Sequence, residues 1–171
     1  GASGNAFDTA SPGSFPKFSK NASYTGSFSY KLATNFNGLS WSRDSSSTDW
    51  YTRAYINVPS FAASASLFGV SAPYTSVWAG TVGLLGQGDG TARLQVRSAS
   101  YAHLATGTYV VTAATWYRVE LHISNVVAGY VEAYLYDKAD NQLDYVKSAT
   151  TDQSADAGYT GTEWFFGDAA G

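Results

Sequence analysis

An all-β, antiparallel sandwich or barrel is what this sequence predicts, and three observations carry that prediction. Short segments with a strict period of two recur along the chain, turn-rich stretches separate them, and no run of four helical turns with apolar residues at 3.6-residue spacing interrupts them. Aromatic residues make up 16% of the chain, with 13 Tyr among them, against only 13% charged residues, about half the usual share of roughly 25%. Aromatic residues suit a pleated, half-buried surface, and the abundant Gly and Ser suit turns.

Taken in order, "SFSYKLAT" sets Phe28, Tyr30 and Leu32 against Ser29, Lys31 and Ala33. "WYTRAYINV" sets Trp50, Thr52, Ala54 and Ile56 against Tyr51, Arg53, Tyr55 and Asn57. "ARLQVRS" opposes Leu94 and Val96 to Arg93, Gln95 and Arg97. "TWYRVELHIS" opposes Tyr117, Val119, Leu121 and Ile123 to Trp116, Arg118, Glu120 and His122. "YVEAYLYD" opposes Val131, Ala133 and Leu135 to Tyr130, Glu132, Tyr134 and Tyr136. Shorter candidate strands are "SASLFGV", "TVGLLGQ", "TYVVT", "LDYVKS" and "TEWFFG"; "TNFNG", "RDSSSTD", "GQGDG" and "DKADNQ" read as turns. A single domain over residues 1–171 is expected, long enough to bury a core, with no linker or repeat.

One strand pairing follows from the residues. "WYRVELHIS" and "YVEAYLYD" are joined by the five residues "NVVAG", which reads as an antiparallel hairpin. Placing Ile123 opposite Val131, Leu121 opposite Ala133 and Val119 opposite Leu135 sets apolar against apolar. The same register puts His122 opposite Glu132, Glu120 opposite Tyr134 and Arg118 opposite Tyr136. A one-residue slip would mix the two faces.

Bulk properties remove several function classes. The net charge is −3 with no basic stripe, which argues against nucleic-acid binding through phosphates. No apolar run approaches the roughly 20 residues needed to span a bilayer, so membrane insertion is not expected. The absence of Cys rules out disulfides, thiolate zinc sites and cysteine nucleophiles. There is no Met, even at position 1, which suggests a processed product or a fragment. Two His and no nucleophile elbow make a serine hydrolase a poor fit. "GQGDG" lacks the Lys of a phosphate loop, and Asn21-Ala22-Ser23 is a common chance match to a glycosylation sequon.

The order of "GNAFD", "TGSFSYKLAT", "YTRAYINV", the hairpin "TWYRVELHIS…GYVEAYLYD" and a late "WFFGD" resembles the LamG-like, concanavalin A-like jelly-roll domains of bacterial secreted proteins and phage virion proteins. The resemblance spans nearly the whole chain and implies a jelly-roll β-sandwich. It also implies an extracellular, cell-surface or virion setting, with glycans or neighbouring subunits as partners and a homo-oligomer among the options. Such domains include lectins, carbohydrate-binding modules, polysaccharide lyases and structural adhesive domains, so function has to be argued from a site. In this fold a structural calcium often joins the two ends, and Asn5, Asp8 and Asp168 are its candidate ligands here. Domains of this type continue past "WFFGD" into a final strand with paired Asp residues. The sequence stops at "FFGDAAG", which implies a missing strand, an open sheet edge beside residues 163–167, and assembly with another chain through that edge.

The candidate site is the polar face of the hairpin: Arg118, Glu120, His122, Glu132, Tyr134 and Tyr136, with Arg53 as a further cation. Three readings are open. Sugar rings stack on Tyr and Trp while polar groups orient them, which favours a glycan-binding surface; Tyr130, Tyr134, Tyr136, Trp41, Trp50, Trp78 and Tyr101 are the aromatic candidates. Arg, His and Tyr could instead serve a polysaccharide lyase, Arg neutralising a uronate and His or Tyr moving the proton, although lyase motif strings are absent. A His122–Glu132 pair could also be no more than a stabilising cross-strand contact. A non-catalytic lectin-like or structural surface module is the expectation, with a carbohydrate-active enzyme as the alternative.

Overall fold

In the computed structural model, residues 9–10, 17–19, 29–31, 38–42, 49–61, 65–71, 78–97, 103–124, 128–149 and 163–167 are described, with side chains for 49–61, 65–70, 80–97, 104–124 and 128–149. The strands are β1 (Thr9–Ala10), β2 (Lys17–Ser19), β3 (Ser29–Lys31), β4 (Gly38–Ser42), β5 (Asp49–Asn57), β6 (Ala65–Ser71) and β7 (Trp78–Gly86). They continue with β8 (Thr91–Arg97), β9 (His103–Thr106), β10 (Val111–Thr112), β11 (Trp116–Ser124), β12 (Tyr130–Tyr136), β13 (Gln142–Lys147) and β14 (Glu163–Gly167). Every pairing among the described strands is antiparallel. One sheet runs β1-β4-β14-β6-β7-β8-β10, with β9 also on β8; a second runs β13-β12-β11-β5; β2 and β3 form a separate ribbon. This is an all-β, antiparallel β-sandwich of jelly-roll type.

The two main sheets bury a common core. From the four-stranded sheet come Trp50, Tyr117, Val119, Leu121, Ile123, Val131, Ala133, Leu135 and Val146. The larger sheet contributes Phe68, Val70, Val82, Leu84, Ala92, Leu94 and Val96. Full burial of the Val, Leu, Ile and Phe side chains among these is worth about 1.5–3 kcal/mol each. The β11–β12 register is the one the alternation dictates: Val119 faces Leu135, Leu121 faces Ala133, Ile123 faces Val131 and His122 faces Glu132.

The turns agree with their residues. "GQGDG" closes β7 onto β8 with Gly88 and Gly90 at φ of 82° and 85°, a region that glycine enters without strain. The amide of Thr91 donates to Asp89 Oδ1 at 2.9 Å. In "DKADNQ" the Asp137 carboxylate accepts from the amides of Ala139 and Asn141 and from the Asn141 side chain, so it is spent inside the turn.

Three expectations change. The edge beside residues 163–167 is not open, because β14 pairs with β4 on one side and β6 on the other. The aromatic, β-prone "EWFF" run is inserted within the sheet, so assembly through that edge loses its basis. Gln95, expected on a polar face, is fully buried. Its strand is interior, and the residue opposite is Gly83, which leaves the amide room to lie over the sheet. Trp50, an aromatic binding candidate, is only 3% exposed and belongs to the core, since its neighbours on the alternation face inward. Asn5, Asp8 and Asp168, the calcium candidates, lie outside the described residues, as do the side chains of Trp41, Trp78 and Tyr101.

Gly83 yields a first prediction. A Cβ there would sit 2.5 Å from the Ala65 carbonyl oxygen, a backbone atom that cannot swing aside. Gly83→Ala is expected to cost about 1–3 kcal/mol, as overpacking does. A thermal melt checks this, and an unchanged midpoint would show that β6 and β7 can part freely.

Candidate functional site

The outer face of the four-stranded sheet carries the site. Register sets its rows: Tyr51, His122, Glu132 and Lys147 lie side by side across β5, β11, β12 and β13, and Arg53, Glu120, Tyr134 and Tyr145 form the next row. Tyr51, Thr52, Arg53, Glu120, Leu121, His122, Tyr130, Glu132 and Tyr134 line an open cleft of about 560 Å³.

Beneath the cleft lies a polar network. His122 Nδ1 is 2.7 Å from Glu132 Oε1, and its Nε2 is 3.2 Å from Asp49 Oδ1. The Tyr145 hydroxyl donates to Glu132 Oε2 at 2.8 Å, and Lys147 Nζ stands 3.5 Å from the same oxygen. Lys147 Nζ also lies 3.3 Å from the centroid of the Tyr130 ring, a cation–π contact. Tyr51 stacks on the His122 ring at 3.9 Å with an 11° interplanar angle, and Tyr130 meets it edge-on at 5.3 Å. His122 and Glu132 are therefore buried although they point away from the core.

Burial pushes the Glu132 carboxyl upward, but the hydrogen bonds from His122 and Tyr145 and the charge of Lys147 outweigh it, so Glu132 is held below the ordinary carboxylate range. Burial first, and the Glu132 carboxylate after it, push the Tyr145 and Tyr134 phenols up.

A second cluster adjoins the first. Arg118 reaches the Asp140 carboxylate, holds its Nε 3.1 Å from Glu120 Oε1, and lies over the Tyr136 ring at 3.9 Å. The Nε contact is ionic without hydrogen-bond alignment. Of the sequence candidates, Arg53, Glu120, His122, Glu132 and Tyr134 line the cleft, whereas Arg118 and Tyr136 stand beside it. Arg118 is held away by Asp140, on a turn whose position the β11 sequence does not reveal.

The candidate set lacked Asp49, Tyr51, Tyr145 and Lys147. Alternation in "DWYTRAYIN" and "LDYVKS" places Tyr51, Tyr145 and Lys147 on outward faces, which is the signal that could have found them. Among the described residues no three His, Asp or Glu side chains form a group able to hold a metal ion.

No protein-family profile matches the sequence, and no curated protein matches it. Among solved structures, the crystal structure of a protein of unknown function from Shewanella oneidensis MR-1 is similar over 95% of this chain and 79% of its own, with a TM-score of 0.53 and 13% identity. At that identity it shows a shared fold. An endo-β-1,4-glucuronan lyase from the fungus Trichoderma reesei is similar over 95% of this chain and 90% of its own, with a TM-score of 0.43 and 11% identity.

Proposed function

We propose that this is a non-catalytic, lectin-like surface module of the LamG-like type, extracellular or on a cell or virion surface, that binds glycans on the open face of its four-stranded sheet. One observation carries the reading. Among the described residues four large apolar side chains are exposed, and three of them, Tyr51, Tyr55 and Tyr145, are tyrosines on this one face. Tyr130, Tyr134 and Tyr136 add half-buried rings beside them. Exposed rings flanked by charged and hydroxyl groups match the two sides of a sugar, its apolar C–H face and its ring of hydroxyls. Tyr51, 70% exposed and propped flat by His122, is the platform.

Calorimetric titration against a panel of neutral and acidic oligosaccharides tests this. At least one should bind, and Tyr51→Ala should weaken it about 10-fold or more, as truncation of an aromatic anchor does, without lowering the melting temperature by more than a few degrees. A panel with no binder, or a Tyr51→Ala variant of unchanged affinity, overturns the reading.

A uronate lyase is the second reading, favoured by Arg53, His122 and Tyr134 lining one cleft. His122 is poorly placed for proton transfer to a substrate: both ring nitrogens face carboxylates and Tyr51 covers the ring. Tyr134 ionises less readily than a free phenol, because burial and Glu132 disfavour the anion that would have to take the proton. Incubation with uronate polysaccharides is expected to give no unsaturated product absorbing in the ultraviolet.

A further inference from the structure

On the cleft face each carboxylate stands beside a basic side chain, whereas one cation, Arg53, has no carboxylate paired with it among the described residues. Glu120 is opposite Arg53 in the strand register, and opposite charges so placed normally pair. Here Glu120 turns along its own strand to Arg118, which also takes Asp140. Glu132 is occupied by His122, Tyr145 and Lys147, and Asp49 faces His122 Nε2. Each of these four carboxylates thus has a basic partner. Arg53 is exposed, lines the cleft, and makes no hydrogen bond or ion pair among the described residues.

We infer that the cleft selects acidic sugars, with the exposed Arg53 guanidinium receiving the sugar's carboxylate or sulfate while the neighbouring Tyr51 ring takes its apolar face. This rests on the glycan reading above and names the substrate class of the same cleft. The two side chains are two residues apart on β5, on one face, about 7 Å from Cα to Cα. One sugar unit stacked on Tyr51 therefore brings an exocyclic anion within reach of the guanidinium. The planar fork of Arg matches a carboxylate or sulfate through two parallel hydrogen bonds, and its own ion-pair needs are unmet until such a group arrives. The chain as a whole is acidic, at −3, so the attraction is local to Arg53 and does not come from the overall field.

Two matched pairs of ligands test the inference by calorimetric titration of the intact chain: oligogalacturonides with their methyl esters, and sulfated galactan oligosaccharides with their desulfated counterparts. Neutral cello- and xylo-oligosaccharides complete the set. The acidic member of at least one pair should bind about 10-fold or more tightly than its neutral partner, as expected for a charge-assisted contact. Arg53→Gln should erase that preference, and added salt should shrink it. The pair that shows the preference distinguishes carboxylate from sulfate. Because Arg53 is exposed, Arg53→Gln should melt with the parent chain, which keeps a loss of preference from being a loss of fold. Equal binding of both members of each pair, binding of the neutral sugars alone, or a preference that survives Arg53→Gln overturns the acidic-sugar inference and leaves glycan binding standing. Absence of binding to every sugar overturns both.

Discussion

Leu121→Ala is expected to lower the free energy of unfolding by about 2–5 kcal/mol, the cost of emptying a fully buried leucine site. Leu121 is 1% exposed and central in β11, with Thr52 of β5 and Ala133 of β12 as its cross-strand neighbours. Both neighbours are small, so neither can swing a long side chain into the space, and the site cannot collapse cheaply. The same residue touches the floor of the cleft. A urea titration followed by tryptophan fluorescence reads the loss as a lower midpoint at unchanged slope. A loss under about 1 kcal/mol would mean that the two sheets close over the cavity. The more conservative Leu121→Val should fall between the parent chain and Leu121→Ala.

The hairpin that holds Leu121 was legible because two of its properties are local. Alternation in "TWYRVELHIS" and "YVEAYLYD" assigns faces, and a short connection fixes the register up to an even shift, so His122 beside Glu132 could be read from the residues. The partner on the other side of β11 was not legible. Alternation in β5 shows that Tyr51 and Arg53 face outward together, but any outward-facing strand would satisfy that pattern. Only the pairing of Tyr51 with His122 and of Arg53 with Glu120, both far away along the chain, brings them to the cleft. Trp50 and Tyr51 illustrate the same limit. Trp50 stands among the aromatic candidates and Tyr51 does not, yet the period of two sends Trp50 inward and Tyr51 outward, and burial decides which of them can meet a ligand. Gln95 fails for another reason: whether the far face of an interior strand is covered depends on the elements around it, not on its own residues.

Glu132→Gln is expected to cost about 1–3 kcal/mol at neutral pH and progressively less in acid. The carboxylate has two acceptor oxygens, Oε1 meeting His122 Nδ1 and Oε2 meeting the Tyr145 hydroxyl, with the Lys147 charge 3.5 Å from Oε2. An amide of the same shape has one acceptor oxygen, and its NH₂ must then point at a donor in a buried place. The folded-state pKa of Glu132 lies below its unfolded value, because the donors and Lys147 outweigh the opposing effect of burial. For a depressed carboxylate the stabilisation is complete above the unfolded pKa, about 4.3, and is lost as pH falls through the folded pKa. Other carboxylates also protonate on acidification, but both chains share them, so the difference between parent and Glu132→Gln isolates this group. That difference should be largest above about pH 5 and shrink toward pH 3, where a protonated Glu132, like the amide, pairs one acceptor oxygen with one donor. Urea midpoints at several pH values in this range supply the measurement. A gap of constant size from neutral to acid pH would show that Glu132 acts by shape alone and that its contacts with His122, Tyr145 and Lys147 carry no charge-dependent stability.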